Sequence, residues 1–112
     1  MAKLDVLVRV VAAPAPVKLA LGMLAIRRFE EGENSFGSGS DQDIQFPENT
    51  IPQAAGTFIL DNGEVTMVVN DGVDVRHKGE SVDRLLMVGE GVDERIHARH
   101  GDLTWFIDSR GD

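Results

Sequence analysis

The chain has 112 residues, of which 42% are hydrophobic and 27% are charged, a balance typical of one small globular domain. Its formal net charge is −8, from 19 acidic and 11 basic residues, which opposes binding to nucleic acids and to anionic membranes. It contains no cysteine, which excludes disulfides, cysteine-zinc sites and thiolate catalysis and agrees with a reducing compartment.

The first 29 residues contain three segments of different character. Residues 4–11 are rich in valine and predict a strand, and residues 12–16 predict an extended connector because their two prolines lack a ladder N–H. Residues 17–29 fit alternation and helical spacing about equally, so a strand and a short helix both stay open. Asp5 and Arg9 interrupt the first apolar run, and no segment approaches the ~18 apolar residues of a membrane span. We therefore expect a cytoplasmic protein without a signal peptide.

The clearest secondary-structure signal is a hairpin over residues 56–69. Asn62-Gly63 is a strong two-residue turn sequence, because both positions of such a turn need a positive φ. The register of this turn places two apolar pairs on one face and a mixed pair on the other: Leu60 with Val65, Phe58 with Met67, and Ile59 with Thr66.

Two further hairpins are predicted closer to the C-terminus. Their turns are Lys78-Gly79 and Gly101-Asp102, and residues 84–88 form an apolar strand between them. On the outer face Arg95 is expected opposite Asp108, where opposite charges attract. The pairs expected on the inner face are Val75 with Val82, Ala98 with Trp105, and Ile96 with Ile107. The expected core side chains include Phe58, Met67, Leu86 and Trp105.

Strands that recur roughly every 8–12 residues, without a long helix, predict an all-β fold. We expect a small β-sandwich or a partly open barrel of about eight strands joined by antiparallel hairpins. A single β domain is expected over residues 1–112, in which residues 1–16 are an N-terminal strand and a proline-rich connector.

Residues 30–47 read as two short strands around a turn of glycine and serine, and they carry a family resemblance. Gly32–Ser38, then Asp43–Pro47 and Ala54–Phe58, resemble a bacterial family of β-proteins of unknown function. The similarity continues at Asn62–Thr66 and Gly101–Arg110. This resemblance implies a β fold, favours a strand in the ambiguous N-terminal segment, and implies no particular activity.

The same stretch is also similar to forkhead-associated domains, which are phosphothreonine-binding β-sandwiches. The scaffold positions of that pattern are Gly32, Gly37, Asp43 and Ile44. Its phosphate-reading arginine, serine and histidine are replaced by Ser38, Pro52 and Ala55. Because a phosphate needs charge-assisted donors, this resemblance implies the fold, and we expect no phosphopeptide binding.

Three groups of residues are candidates for binding an anionic ligand. The first group alternates along the penultimate strand and so shares one face: Arg95, His97 and Arg99. A second basic cluster occupies residues 76–78 at a turn. Ser38 and Ser40 lie in the glycine-serine turn, whose backbone amides could hold an anion. The competing interpretations are an ordinary solvated face and a flexible turn.

The acidic residues between positions 30 and 43 are candidates for a cation site. Asp41 and Asp43 lie two residues apart, and carboxylate oxygens are the ligands that hard cations prefer. Solvated acids beside a loop are the competing interpretation. No cofactor is predicted, and no spacing indicates a catalytic triad.

These features favour a non-catalytic domain that binds a protein or a small ligand through loops or a sheet face. The alternative is a metal-dependent enzyme or cation-binding protein that uses the acidic cluster of residues 30–43. Members of the resembling bacterial family continue beyond the position of Arg110, and a sheet without their additional strands has open edges. We therefore expect a homodimer that covers them.

Overall fold

The structure, a computed structural model, describes residues 4–13, 24–92 and 94–111. Its secondary structure within these ranges consists of eleven strands: β1 (Leu4–Ala12), β2 (Leu24–Arg28), β3 (Gly32–Gly37), β4 (Ile44–Gln45), β5 (Gly56–Asp61), β6 (Glu64–Val69), β7 (Arg76–His77), β8 (Glu80–Ser81), β9 (Arg84–Val88), β10 (Ala98–His100) and β11 (Leu103–Gly111). None of these residues belongs to a helix long and apolar enough to cross a membrane.

Part of the N-terminal prediction can be compared with the structure. The strand predicted over residues 4–11 is β1. Residues 24–28 form β2, as the strand interpretation of residues 17–29 expects. The prolines of the connector and residues 17–23 lie outside the described residues.

The strands form two sheets. A six-stranded sheet has the order β2-β1-β11-β10-β7-β8, and a five-stranded sheet has the order β4-β3-β5-β6-β9. The strand pairs are antiparallel, apart from the parallel pair β3–β4. The predicted all-β sandwich is thus confirmed. The described residues form eleven strands where about eight were predicted, and three of the eleven, β4, β7 and β8, contain only two residues each.

The hairpin predicted over residues 56–69 has the predicted register. Phe58 pairs with Met67 and Leu60 with Val65, and all four side chains are buried. Asn62 adopts a φ of 53° and the following glycine a φ of 86°, the left-handed values that the turn requires. The turn sequence and the alternation of apolar residues are both local signals, and here they predict the same register.

The later hairpins match the predictions only in part. Ala98 pairs with Trp105 as expected, and Val82 donates a 2.9 Å hydrogen bond from its amide to the carbonyl of Val75. The β10–β11 ladder stops at Ala98, so the predicted ladder pair of Arg95 with Asp108 is wrong. Asp108 instead lies opposite Leu7 on β1. It accepts a 2.7 Å hydrogen bond from Nε of Arg9, on the same strand, and the two side chains form an ion pair.

One predicted core residue faces the solvent. Leu86 pairs with Thr66 on β6, and Thr66 alternates with the buried Val65 and Met67, so this pair lies on the outer face of the sheet. Leu86 is consequently 38% exposed, whereas Met87 is 2% exposed and lies in the core. The prediction of Leu86 as a core residue is therefore wrong.

The core lies between the sheets and contains a chain of aromatic contacts. Phe58 stacks on Phe29 and on Phe36, with ring centroids 5.1 and 4.2 Å apart. Trp105 meets Phe46 edge to face at 5.1 Å. On β1 and β11 the alternation that buries inner side chains turns the intervening ones outward, which places polar groups on the outer face of the six-stranded sheet.

Candidate functional site

Two arginines meet on the outer face of the six-stranded sheet. Arg76 on β7 lies directly opposite Arg99 on β10, in the one ladder pair that joins these strands. Arg99 is also opposite Thr104 on β11, which alternates with buried neighbours and so faces outward. These side chains line a cavity of about 520 Å³, called here the Arg76–Arg99 pocket. Its lining residues are Asp74, Arg76, Lys78, Gly79, His97, Arg99, Gly101 and Thr104.

Hydrogen bonds to nearby groups hold each arginine in place. Arg76 donates from Nε to Asp74 Oδ2 at 3.3 Å and from Nη1 to the Gly79 carbonyl at 3.3 Å. Arg99 donates from Nε to the Gly101 carbonyl at 2.6 Å. A guanidinium has more N–H donors than these bonds use, so both arginines can still bind an anion.

Two histidines connect the walls of the pocket. His77 Nδ1 lies 2.9 Å from the His97 carbonyl, and His100 Nδ1 lies 2.7 Å from the Asp74 carbonyl. A carbonyl oxygen can only accept, so Nδ1 carries the proton in both rings. These bonds join the segment that contains β7 to the segment that contains β10, and they reduce the freedom of the side chains between them.

The pocket concentrates positive charge on an acidic protein. Arg76 and Arg99 occupy directly opposite positions in the ladder, and like charges at such positions are unfavourable without a counter-ion. Asp74 partly compensates: side-chain hydrogen bonds from Arg76 and then Ser81 lower the pKa of Asp74 below its ordinary value. A second carboxylate, that of Asp102, lies 4.0 Å from Arg99 Nη2. Three cationic side chains, those of Arg76, Lys78 and Arg99, against these two carboxylates leave one net positive charge, which favours an anionic ligand.

The structure brings the two predicted basic clusters together, but two of their members, His77 and Arg95, do not line the pocket. His97 and Arg99 line the pocket together with Arg76 and Lys78. Arg95 is not a lining residue; its guanidinium lies 4.6 Å above the Phe106 ring, a cation–π contact. Asp74 and Thr104 were not singled out from the sequence, although their positions are local. Asp74 lies two residues before Arg76, on the same face of an extended segment, and Thr104 lies opposite Arg99 across the predicted hairpin turn.

The glycine-serine turn uses its own donors internally. Ser38 donates from its hydroxyl to the Ile51 carbonyl at 2.6 Å and from its amide to the Pro52 carbonyl at 3.1 Å. The amide of Gly39 donates to the Gln53 carbonyl at 3.1 Å. These bonds join the turn to the loop before β5 and leave the amides of residues 38 and 39 engaged. Ser40 is exposed at the tip of the turn, and its role as a ligand-binding residue stays a prediction.

The two candidate cation ligands have protein partners. Asp43 Oδ2 accepts hydrogen bonds from the amide and the hydroxyl of Ser35 at 2.9 and 3.2 Å, which connects the turn to β3. Asp41 Oδ1 accepts a 3.2 Å bond from Gln42. Among the described residues, no three histidine, aspartate or glutamate side chains converge as a metal site would require. A cation site at Asp41 and Asp43 therefore stays a prediction without a third ligand in this part of the chain.

Comparisons with known proteins identify the fold. No protein-family model matches the sequence, and no curated protein is similar enough to match it. One similar solved structure comes from a structural and functional analysis of phosphothreonine-dependent FHA domain interactions, with 12% identity, a TM-score of 0.62, and coverage of 90% of this chain and 94% of that chain. A second is the FhaA FHA domain complexed with the intracellular domain of Rv3910, with 12% identity, a TM-score of 0.62, and coverage of 90% and 99%.

A third similar structure is that of the Rv0020c FHA domain, with 11% identity, a TM-score of 0.66, and coverage of 96% of this chain and 95% of that chain. At such low identity the three matches establish the fold alone. The chain has the fold of FHA, or forkhead-associated, domains, and that part of the predicted resemblance is confirmed. The resemblance to the bacterial family of unknown function has no support from any family model.

Proposed function

We propose that the chain is a non-catalytic protein-interaction domain whose Arg76–Arg99 pocket binds an acidic segment of a partner protein. The observation that carries this proposal is the direct opposition of Arg76 and Arg99 in a cavity that Lys78 and His97 also line. The fold is consistent with it, since the similar FhaA domain was solved in complex with the intracellular domain of another protein. That part of the support is an analogy at the level of fold.

Carboxylates fit the chemistry of this pocket. The planar guanidinium matches a carboxylate with two parallel hydrogen bonds, and lysine adds a mobile point charge. In an extended peptide, side chains two residues apart lie ~6–7 Å from each other on one face. The Cβ atoms of residues directly opposite in a ladder pair, as Arg76 and Arg99 are, lie a similar distance apart, ~5 Å. A Glu-x-Glu segment can thus offer one carboxylate to each arginine.

The pocket is a better candidate than the loops that resemble the phosphothreonine-reading loops of FHA domains. Ser38, which replaces the arginine of that pattern, donates its hydroxyl to a backbone carbonyl. Ala55, which replaces the histidine, is fully buried. These positions supply no charged donor, whereas the Arg76–Arg99 pocket supplies three cationic side chains.

Isothermal titration calorimetry with a Glu-x-Glu peptide tests the proposal. Arg76→Gln and Arg99→Gln are each expected to weaken binding by about tenfold or more, because a hydrogen bond to a charged group contributes about 1.5–3 kcal/mol. Arg84→Gln is the matched control, since Arg84 is an exposed arginine on the other sheet. Equal binding by all three variants would reject the pocket. Selective binding of a phosphorylated peptide over the glutamate peptide would replace the proposed ligand by phosphate.

Asp74→Asn is expected to tighten peptide binding several-fold. The carboxylate of Asp74 competes with an incoming anion for Arg76, and the hydrogen bond from Arg76, followed by that from Ser81, lowers the pKa of Asp74 and so favours its charged form. The amide retains the side-chain shape and removes the charge. Parallel titrations of the wild type and Asp74→Asn at two salt concentrations measure the effect. Weaker binding by the variant would show that Asp74 mainly orients Arg76.

A further inference from the structure

The two sheets have four edge strands, and β9 is the least protected of them. Strands β4 and β8 have only two residues each, and β2 contains two arginines among its five residues. Strand β9 has five residues, of which only Arg84 is polar. Natural proteins protect sheet edges with short strands and charges, because an open apolar edge is a template for another strand. Neither shortness nor charge protects residues 85–88, although the register shift between Leu86 and Val88 interrupts this edge.

The side chains of β9 agree with an uncovered edge. Leu86 is 38% exposed and is the one exposed large hydrophobic side chain among the described residues. Arg84 is exposed, and Leu85 and Val88 are half-buried. Within the described chain, β9 pairs with β6 alone, so its other side has no ladder partner there.

The backbone of β9 directs alternate residues toward this open edge. The Val69 amide donates a 2.9 Å hydrogen bond to the Asp83 carbonyl, so this pair of residues is hydrogen-bonded across the ladder. Bonded and non-bonded pairs alternate along an antiparallel ladder. Arg84 and Leu86, which follow Asp83 by one and three residues, therefore direct their N–H and C=O groups away from β6.

We propose that a second copy of the chain binds along β9 in the antiparallel direction, with the two-fold axis at Leu86. Leu86 then forms a hydrogen-bonded pair with its own counterpart, which matches the outward direction of its backbone groups. The two five-stranded sheets become one continuous sheet across the dimer. The pocket proposed to bind an acidic segment is on the other sheet, so this inference does not rest on the proposed function.

The charges at the ends of β9 favour a second copy over another extended chain. The apolar run has Arg84 at one end and Glu90 just beyond the other, and both are exposed. An antiparallel pair centred on Leu86 brings Arg84 near Val88 and Glu90 of the second copy, twice by symmetry, and both of these residues lie beyond the register shift that follows Leu86. A strand of five residues buries less than the ~800 Å² per partner of a standard interface, so we expect micromolar affinity.

Disulfide trapping tests this register directly, since the chain contains no cysteine of its own. Under mild oxidation, Leu86→Cys is expected to form a covalent dimer. Arg84→Cys is the matched control on the same edge. Two copies of residue 84 would lie about 13 Å apart in this register, beyond the ~7 Å limit between the Cα atoms of a disulfide. Equal cross-linking of both variants would overturn the register.

Sedimentation equilibrium tests the association itself. The wild type is expected to dimerise at micromolar concentration. Leu86→Pro should abolish the dimer, because proline removes an N–H that points away from β6 and leaves the β6–β9 ladder intact. Leu86→Lys is a second variant, expected to raise the dissociation constant by about tenfold or more, and circular dichroism checks that both variants fold. A wild type that stays monomeric at millimolar concentration, or a dimer that Leu86→Lys does not weaken, would overturn the proposal.

Discussion

Gly56→Ala is expected to lower the free energy of unfolding by about 3 kcal/mol or more, at the upper end of overpacking effects. A Cβ atom at this position would lie 2.2 Å from the carbonyl oxygen of Val68 and 2.8 Å from a ring carbon of Phe36. The first contact is with backbone, so no side-chain rotation relieves it, and strands β5 and β6 would have to separate. The corresponding fall in the melting temperature is about 10–20 °C.

Urea unfolding, followed by the fluorescence of Trp105, measures this effect. Gly89→Ala is the control, because the nearest atoms to a Cβ there are the terminal methyl groups of Leu86 at 3.2 and 3.3 Å, which can move. We expect the control to change the free energy of unfolding by less than about 1 kcal/mol. If Gly56→Ala were as stable as Gly89→Ala, the close approach of Val68 and Phe36 to β5 would be contradicted.

Trp105→Ala is expected to destabilise the fold by about 3–5 kcal/mol, the usual range for removing a large buried aromatic side chain. Trp105 is fully buried and contacts Phe46 and Phe36, with ring centroids at 5.1 and 6.3 Å. Replacing it by alanine leaves a cavity between the sheets, where close-packed neighbours on both sides can relax only partly.

Trp105→Phe is expected to destabilise the fold much less than Trp105→Ala. One reason is that phenylalanine fills more of the cavity than alanine, and a second concerns the indole N–H. Within the described residues, the indole Nε1 of Trp105 is buried and has no hydrogen-bond partner. A buried donor without a partner costs about 1–3 kcal/mol, and phenylalanine removes that donor while it retains an aromatic ring. Thermal unfolding followed by circular dichroism compares the variants, because the sole tryptophan is lost. Equal destabilisation by both substitutions would indicate that Nε1 has a partner.

The candidate pocket could be predicted from the sequence only in pieces. Alternation placed His97 and Arg99 on one face, and the Lys78-Gly79 turn placed a second basic cluster at a hairpin. The two clusters come together through one ladder pair, Arg76 with Arg99, which joins β7 to β10. Strands β8 and β9 separate β7 from β10 along the chain. Neither propensity nor periodicity encodes such a non-local pair. Asp74, in contrast, lies two residues before Arg76, and alternation alone places the two on one strand face.

The sequence by itself determined the features that depend on neighbouring residues. The turn at Asn62, with its positive φ, and the alternation of apolar residues on either side set the register that pairs Phe58 with Met67. Serine at position 38 and alanine at position 55 exclude charged donors at the two positions where FHA domains carry an arginine and a histidine. These properties are local, because turn geometry and side-chain alternation act over a few residues.

Only the tertiary structure decided which distant groups meet. Arg9 binds Asp108 across 99 positions of sequence, although Arg95 was expected in that place. The pairing of β9 with β6 placed Leu86 opposite the outward-facing Thr66, so Leu86 faces outward and Met87 inward. Both outcomes depend on how whole strands align when the two sheets pack, which is settled by the summed burial and hydrogen bonding of the sandwich rather than by any local pattern.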